Sequence, residues 1–199
     1  MDFKDSIGIF KNAFTKEECK RLINSHSEAI KNGTAYDGIG GNKKSTDYNI
    51  VLGENKEDQD LTNIVAGRFN EFNLKYLNDF CQSNEYDASA VIIGKTYYPL
   101  FQIQHYKKNE GHFSQWHIEN YGPEVKDRLF VFILYLNDVN EGGETEFYFK
   151  EKDSNKYFGV SPEEGTLIIH PASWPYVHRG CIPKSDDKYI LTSWACYNN

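Results

Sequence analysis

The chain has 199 residues, 39% of them hydrophobic and 26% charged, which fits one globular domain with a sizeable core. No apolar run approaches the roughly 20 residues that span a bilayer, and the start MDFKDSIGIFKNAF lacks the basic head and apolar stretch of a secretion signal. A net charge of −7 argues against a broad basic surface for phosphate backbones, so neither a membrane nor a nucleic acid is the expected partner.

The four cysteines (Cys19, Cys81, Cys181, Cys196) form no close pair, which excludes a zinc site built on thiolates and fits a reducing cytoplasm. Two of them fall on the apolar faces of predicted helices. The first helix is predicted over 15–31, opened by a capping box of Thr15 and Glu18, with Cys19, Leu22, Ile23, His26 and Ile30 on one face. The stretch 32–49, rich in Gly, Asn and Ser, is long for a loop in a compact domain and reads equally as a lid or an ordinary surface loop. A second helix follows over about 57–82, its apolar face formed by Leu61, Val65, Phe69, Phe72, Tyr76 and Phe80.

From about residue 88 the pattern changes to short β-rich runs at 100–106, 112–119, 128–136, 144–150, 156–160, 165–170, 174–179 and 187–197. The 15% aromatic content favours the same structure. The expected fold is α+β and mainly β: a double-stranded β-helix (jelly-roll, cupin-like) over 88–199, with the helices of 1–87 packed on one sheet. Leu129–Leu136 is continuously apolar, as a strand buried on both faces requires.

Within the β-rich half, His117 and Glu119 are two residues apart, so a strand places both on one face. Two imidazoles and one carboxylate with open positions suit non-haem Fe(II), and His178 is the natural third ligand. With 6 His and 29 acidic residues, chance alone supplies about one H-x-acid pair. Support comes from Lys188, which alternation puts on one face with Ile190, Thr192 and Trp194. A lysine on such a face is costly unless an anion neutralises it, and a dicarboxylate cosubstrate supplies that anion. An outward-facing Lys at the strand's start is the plainer alternative.

Together these residues resemble the prolyl 4-hydroxylase branch of the Fe(II)/2-oxoglutarate dioxygenases. The resemblance rests on Tyr106, His117-Ile118-Glu119, Arg128, Tyr135-Leu136-Asn137, Gly142-Gly143-Glu144-Thr145-Glu146-Phe147, Pro162-Glu163-Glu164-Gly165, His178 and Lys188, in that order. Ile9–Phe14 with Glu17-Glu18-Cys19 resembles the family's opening strand and helix. One departure is Glu119, where the family usually has the shorter Asp.

The resemblance implies Fe(II) on His117, Glu119 and His178, with O2 and 2-oxoglutarate as cosubstrates and ascorbate as an auxiliary reductant. It places the far carboxylate of 2-oxoglutarate on Lys188, with hydroxyls from Tyr135, Tyr106 and Thr192. The implied reaction hydroxylates an unactivated C–H, foremost of a prolyl residue in a peptide or protein, and releases succinate and CO2. A small amino acid is the other substrate class it allows. Arg128, Trp194, Trp174, Arg179 and Tyr121 are the nearby candidates for substrate contacts, and packed aromatic rims are an equal reading of the two tryptophans. The competing readings are a metalloenzyme of the same fold that does not use 2-oxoglutarate, and a non-catalytic metal-binding module.

Overall fold

The computed structural model describes residues 2–4, 6–38, 42–81, 94–150 and 157–198. Residues 39–41, 82, 88–93 and 156, which the sequence reading assigns to the loop, the second helix and the strand-rich half, lie outside these, as do the Phe80 and Cys81 side chains.

The chain opens with β1 (Asp2–Lys4) and β2 (Ile7–Phe10), followed by α1 (Lys16–Lys31). Next come β3 (Tyr36–Asp37), β4 (Lys43–Lys44) and β5 (Thr46–Asn49), a 3-10 turn over Ile50–Leu52, and α2 (Lys56–Cys81). The strand-rich half holds β6 (Thr96–Tyr97), β7 (Gln102–Tyr106), β8 (His112–His117), β9 (Arg128–Tyr135) and β10 (Thr145–Lys150). It ends with β11 (Tyr157–Val160), β12 (Leu167–Pro171), β13 (His178–Gly180) and β14 (Lys188–Tyr197).

Helix α1 begins where its capping box requires. Thr15 Oγ1 accepts from the Glu18 N–H at 3.2 Å, and Glu18 Oε2 accepts from the Thr15 N–H at 2.8 Å. Such a cap contributes about 1 kcal/mol.

The strands form two antiparallel sheets. The larger runs β1-β2-β12-β9-β14-β7-β5-β3, with β6 also paired to β14, and the smaller runs β11-β10-β13-β8-β4. Strand β9 explains the layering. Its Phe130, Phe132 and Leu134 pack outward on the helices, where Phe69 stacks on Phe132 at 4.8 Å between centroids. Its Val131, Ile133 and Tyr135 face inward to the second core between the sheets. Both faces are covered, so the strand needs the unbroken apolar run its sequence shows. Among the described residues, no helix is long and apolar enough to cross a membrane.

Two expectations are corrected. The stretch 32–49 is not a structureless loop: β3 and β5 extend the larger sheet, while β4 pairs with β8 on the edge of the smaller one. Two-residue strands are too short to show any alternation. The strand expected at 174–179 covers only His178–Gly180, because Trp174–Val177 turns back, with the Tyr176 N–H donating to the Ser173 carbonyl at 3.0 Å. Pro175 has no N–H for a ladder.

Gly165 ties the first helix to the sheet. Its carbonyl accepts from the N–H groups of Ala13 (2.8 Å) and Phe14 (3.3 Å). Its φ is +77°, and a Cβ there would lie 2.4 Å from the Phe14 carbonyl oxygen. Gly165→Ala is therefore expected to cost about 2 kcal/mol, a fall in Tm of roughly 4–8 °C. Thermal unfolding measures this, and an unchanged Tm would contradict the tie.

Candidate metal and anion site

Strand register builds the metal site. His178 on β13 lies directly opposite His117 on β8, and cross-strand partners hold their Cβ atoms about 5 Å apart on one face. The two rings sit 4.4 Å apart between centroids. Each imidazole is oriented by its own chain: Nδ1 of His117 meets the Gln115 carbonyl at 2.8 Å, and Nδ1 of His178 meets the Tyr176 carbonyl at 3.1 Å. A carbonyl only accepts, so each Nδ1 carries the proton and each Nε2 keeps a free lone pair.

Glu119 lies two residues past the end of β8, and its backbone N–H donates to the Ala172 carbonyl at 2.9 Å. Its Oε1 is 3.4 Å from His117 Nε2 and 3.5 Å from His178 Nε2. One atom from each residue falls within 4.8 Å of the other two. Two imidazole lone pairs and a carboxylate oxygen aimed at one point repel each other unless a cation sits among them, so the donor set fits a divalent metal. Burial works to raise the Glu119 carboxyl; without a metal, hydrogen bonds and positive charge from His117 and His178 carrying a proton on Nε2 outweigh burial and hold it well below the usual carboxylate range, the place a bound cation takes. The extra methylene relative to Asp does not displace the group from the other two ligands.

The same cavity, of about 700 Å³, holds the anion site. Lys188 heads β14 opposite Tyr106, and Ile190 and Thr192 follow opposite Gln104 and Gln102. All six line the cavity, as the alternation Lys188, Ile190, Thr192, Trp194 requires. Lys188 is 2% exposed, and its Nζ donates to the Gly143 carbonyl at 2.6 Å. No carboxylate lies within ion-pair distance of it among the described residues. The rings of Tyr135 and Tyr106 face Nζ at 5.3 and 5.6 Å. Gly143 presents its carbonyl from a backbone with φ of +76°, a conformation that suits glycine. Burial pushes the ammonium down to about 8.

The pH dependence follows from that direction. An anion binds the ammonium form and raises its pKa, so binding takes up a proton above pH 8. The apparent Kd for 2-oxoglutarate is expected to rise about tenfold per pH unit above roughly pH 8, measurable by titration calorimetry. The ligand-free protein does the opposite. Between about pH 8 and 10.5 the unfolded chain binds more protons at this group, so this group's contribution makes stability rise with pH. A Kd flat from pH 7 to 9.5 would contradict an anion partner whose ammonium is lowered to about 8.

The other predicted residues divide clearly. Tyr106 and Thr192 line the cavity, but the Tyr106 hydroxyl donates to Gln104 Oε1 at 2.6 Å and Thr192 Oγ1 to the Phe132 carbonyl at 3.1 Å. Tyr135 does not line it: its hydroxyl donates to the Val160 carbonyl at 2.8 Å and shares a hydrogen bond with Thr145 Oγ1 at 2.7 Å. Trp174 and Tyr121 stand at the mouth, about three-quarters exposed. Arg179 pairs with Glu146 at 2.6 Å and lies over the Trp116 ring. Arg128 and Trp194 both turn to Glu119.

Sequence reading missed Gln102, Gln104 and Gln115, which supply amides to the wall, and Lys43 from the 32–49 stretch. Gln102 and Gln104 had a signal, since they alternate with Tyr106 on one strand.

Known proteins share this fold. Residues 101–196 match the family described as the 2OG-Fe(II) oxygenase superfamily, spanning both histidines, Glu119 and Lys188. The chain is 26% identical to prolyl 4-hydroxylase 13 of Arabidopsis thaliana, over 92% of this chain and 68% of that protein. Its fold is similar to a Pseudomonas putida prolyl-4-hydroxylase (TM-score 0.69, 15% identity, 98% of this chain and 94% of that one). It is also similar to a Trichoplax adhaerens prolyl hydroxylase solved with a hypoxia inducible factor peptide (TM-score 0.67, 16% identity, 98% and 86%). At such identities the solved structures speak for the fold, two sheets in a jelly roll, and the family match speaks for the chemistry that needs Fe(II), 2-oxoglutarate and O2. Residues 101–196 of the chain belong to the 2OG-Fe(II) oxygenase superfamily.

Proposed function

We propose that this oxygenase holds its metal on His117, Glu119 and His178, seats the far carboxylate of 2-oxoglutarate on Lys188, and hydroxylates a prolyl residue in a peptide or protein. The observation that carries this reading is a buried lysine with no ion-paired carboxylate among the described residues, sharing one cavity with the three converging donors. Lys188 would hold one carboxylate of a dicarboxylate cosubstrate in the cavity that also carries the three metal donors.

Fe(II) with 2-oxoglutarate and O2 supplies the oxidising power, the cosubstrate leaving as succinate and CO2. The chain's own residues supply position and surroundings. The carbonyls of Gln115 and Tyr176 fix the two imidazoles, Lys188 fixes the anion, and Phe113, Ile133 and Ile190 keep water from the inner wall. No side chain is needed as a general acid or base. The mouth, open beside Trp174 and Tyr121, offers aromatic faces on which a prolyl ring packs. The named relative and the peptide complex favour a peptide over a free amino acid. The free thiols of Cys19, Cys181 and Cys196 suit a reducing cytoplasm.

The test is succinate release with Fe(II), ascorbate and 2-oxoglutarate across proline-containing peptides, free proline and oligonucleotides, with mass analysis of the products. The expected result is one added oxygen on a peptidyl proline, with succinate formed in equal amount. Turnover with free proline or an oligonucleotide alone would overturn the substrate class.

A further inference from the structure

Arg128 and Trp194 line the cavity as substrate contacts would, yet Arg128 Nη1 and Trp194 Nε1 are engaged with Glu119. Glu119 Oε2 accepts from Arg128 Nη1 at 2.9 Å and from Trp194 Nε1 at 3.0 Å. The other oxygen, Oε1, is the one that faces both imidazoles. Arg128 Nη1 also donates to the Glu119 backbone carbonyl at 3.2 Å. The guanidinium lies 3.7 Å from the Trp194 ring centroid, so each donor holds the other in place.

We propose that Arg128 and Trp194 are positioning residues that clamp Glu119 Oε2 and so fit the metal site to a glutamate. The inference rests on the reading that His117, Glu119 and His178 hold the metal. A glutamate has one more rotatable bond than an aspartate, and freezing it costs more rotamer entropy on binding a metal. Two donors on the outer oxygen remove that freedom before the metal arrives. They also withhold Oε2 from the metal, so Glu119 gives one oxygen and leaves coordination positions open for cosubstrate and O2. Arg128, at the start of β9, and Trp194, late in β14, come from neighbouring strands. The clamp is therefore built on two strands of the larger sheet, apart from the segment that carries His117 and Glu119.

The test is Co(II) titration of the metal-free protein, following both affinity and the visible Co(II) absorption. Arg128→Gln and Trp194→Phe are each expected to weaken Co(II) binding about tenfold, the scale of losing a group that orients a ligand, and to shift the spectrum. Trp194→Phe keeps a buried aromatic ring while removing the N–H donor, so it serves where Arg128→Gln fails to fold. In a Glu119→Asp background the carboxylate is drawn back by one C–C bond, about 1.5 Å. There the same two substitutions are expected to change affinity less than about twofold, a coupling that a purely structural role does not produce. Equal losses in both backgrounds, or no loss with Glu119 and an unchanged spectrum, overturn the clamp while the metal site stands. Wild-type affinity in His117→Ala overturns the metal site and the clamp with it.

Discussion

His178→Ala is expected to remove metal binding at working concentrations and with it all 2-oxoglutarate turnover. Four-ligand metal sites bind with about 10–16 kcal/mol, so one ligand accounts for roughly 3 kcal/mol, a loss above 100-fold. His178 is 4% exposed and packs at 4.7 Å from His170 and 5.8 Å from Phe147, so its loss also opens a small buried gap. The two effects separate in thermal unfolding. The gap lowers Tm with or without metal, whereas loss of the ligand abolishes the rise in Tm that Co(II) gives the wild type. A metal-induced rise of wild-type size in His178→Ala would show that the ion sits elsewhere.

Lys188→Met separates function from stability in the opposite sense. Removing a buried charge that holds an anion typically costs 2–5 kcal/mol, so the Kd for 2-oxoglutarate is expected to rise at least about 30-fold. Co(II) affinity should change little, because the nearest acceptor of Lys188 is the Gly143 carbonyl and not a metal ligand. The ligand-free variant, however, should be more stable than wild type. A lysine pushed down to about 8 carries at neutral pH a folding penalty on the order of 3 kcal/mol, which methionine of similar length does not. Part of that gain is lost with the hydrogen bond to Gly143. A Tm that falls in Lys188→Met, with 2-oxoglutarate binding kept, would mean that the ammonium serves the fold.

What could be read from the sequence is what depends on short-range periodicity. The apolar run of β9, the Thr15–Glu18 box and the face shared by Lys188, Ile190, Thr192 and Trp194 each follow from spacing along one element, and each is found in place. The pairing of His117 with His178 became legible once family spacing joined two strands sixty residues apart; the register explains it afterwards. What depends on where a side chain's last atom points could not be read. Tyr135 sits on the inner face as alternation requires, but its hydroxyl reaches β10 and β11. Arg128 and Trp194 sit at the cavity as expected, and only the structure shows that both bond a carboxylate that is 75 positions from the indole. The 32–49 stretch hid three strands because none is longer than four residues.

The most direct measurement is a calorimetric titration of 2-oxoglutarate into the Co(II)-loaded protein, the metal-free protein, His178→Ala and Lys188→Met. If the three donors and Lys188 form one site, 2-oxoglutarate binds once per chain in the loaded wild type and weakly or not at all in the other three. Binding that is equal with and without metal, or unchanged by Lys188→Met, would contradict a single site for metal and cosubstrate.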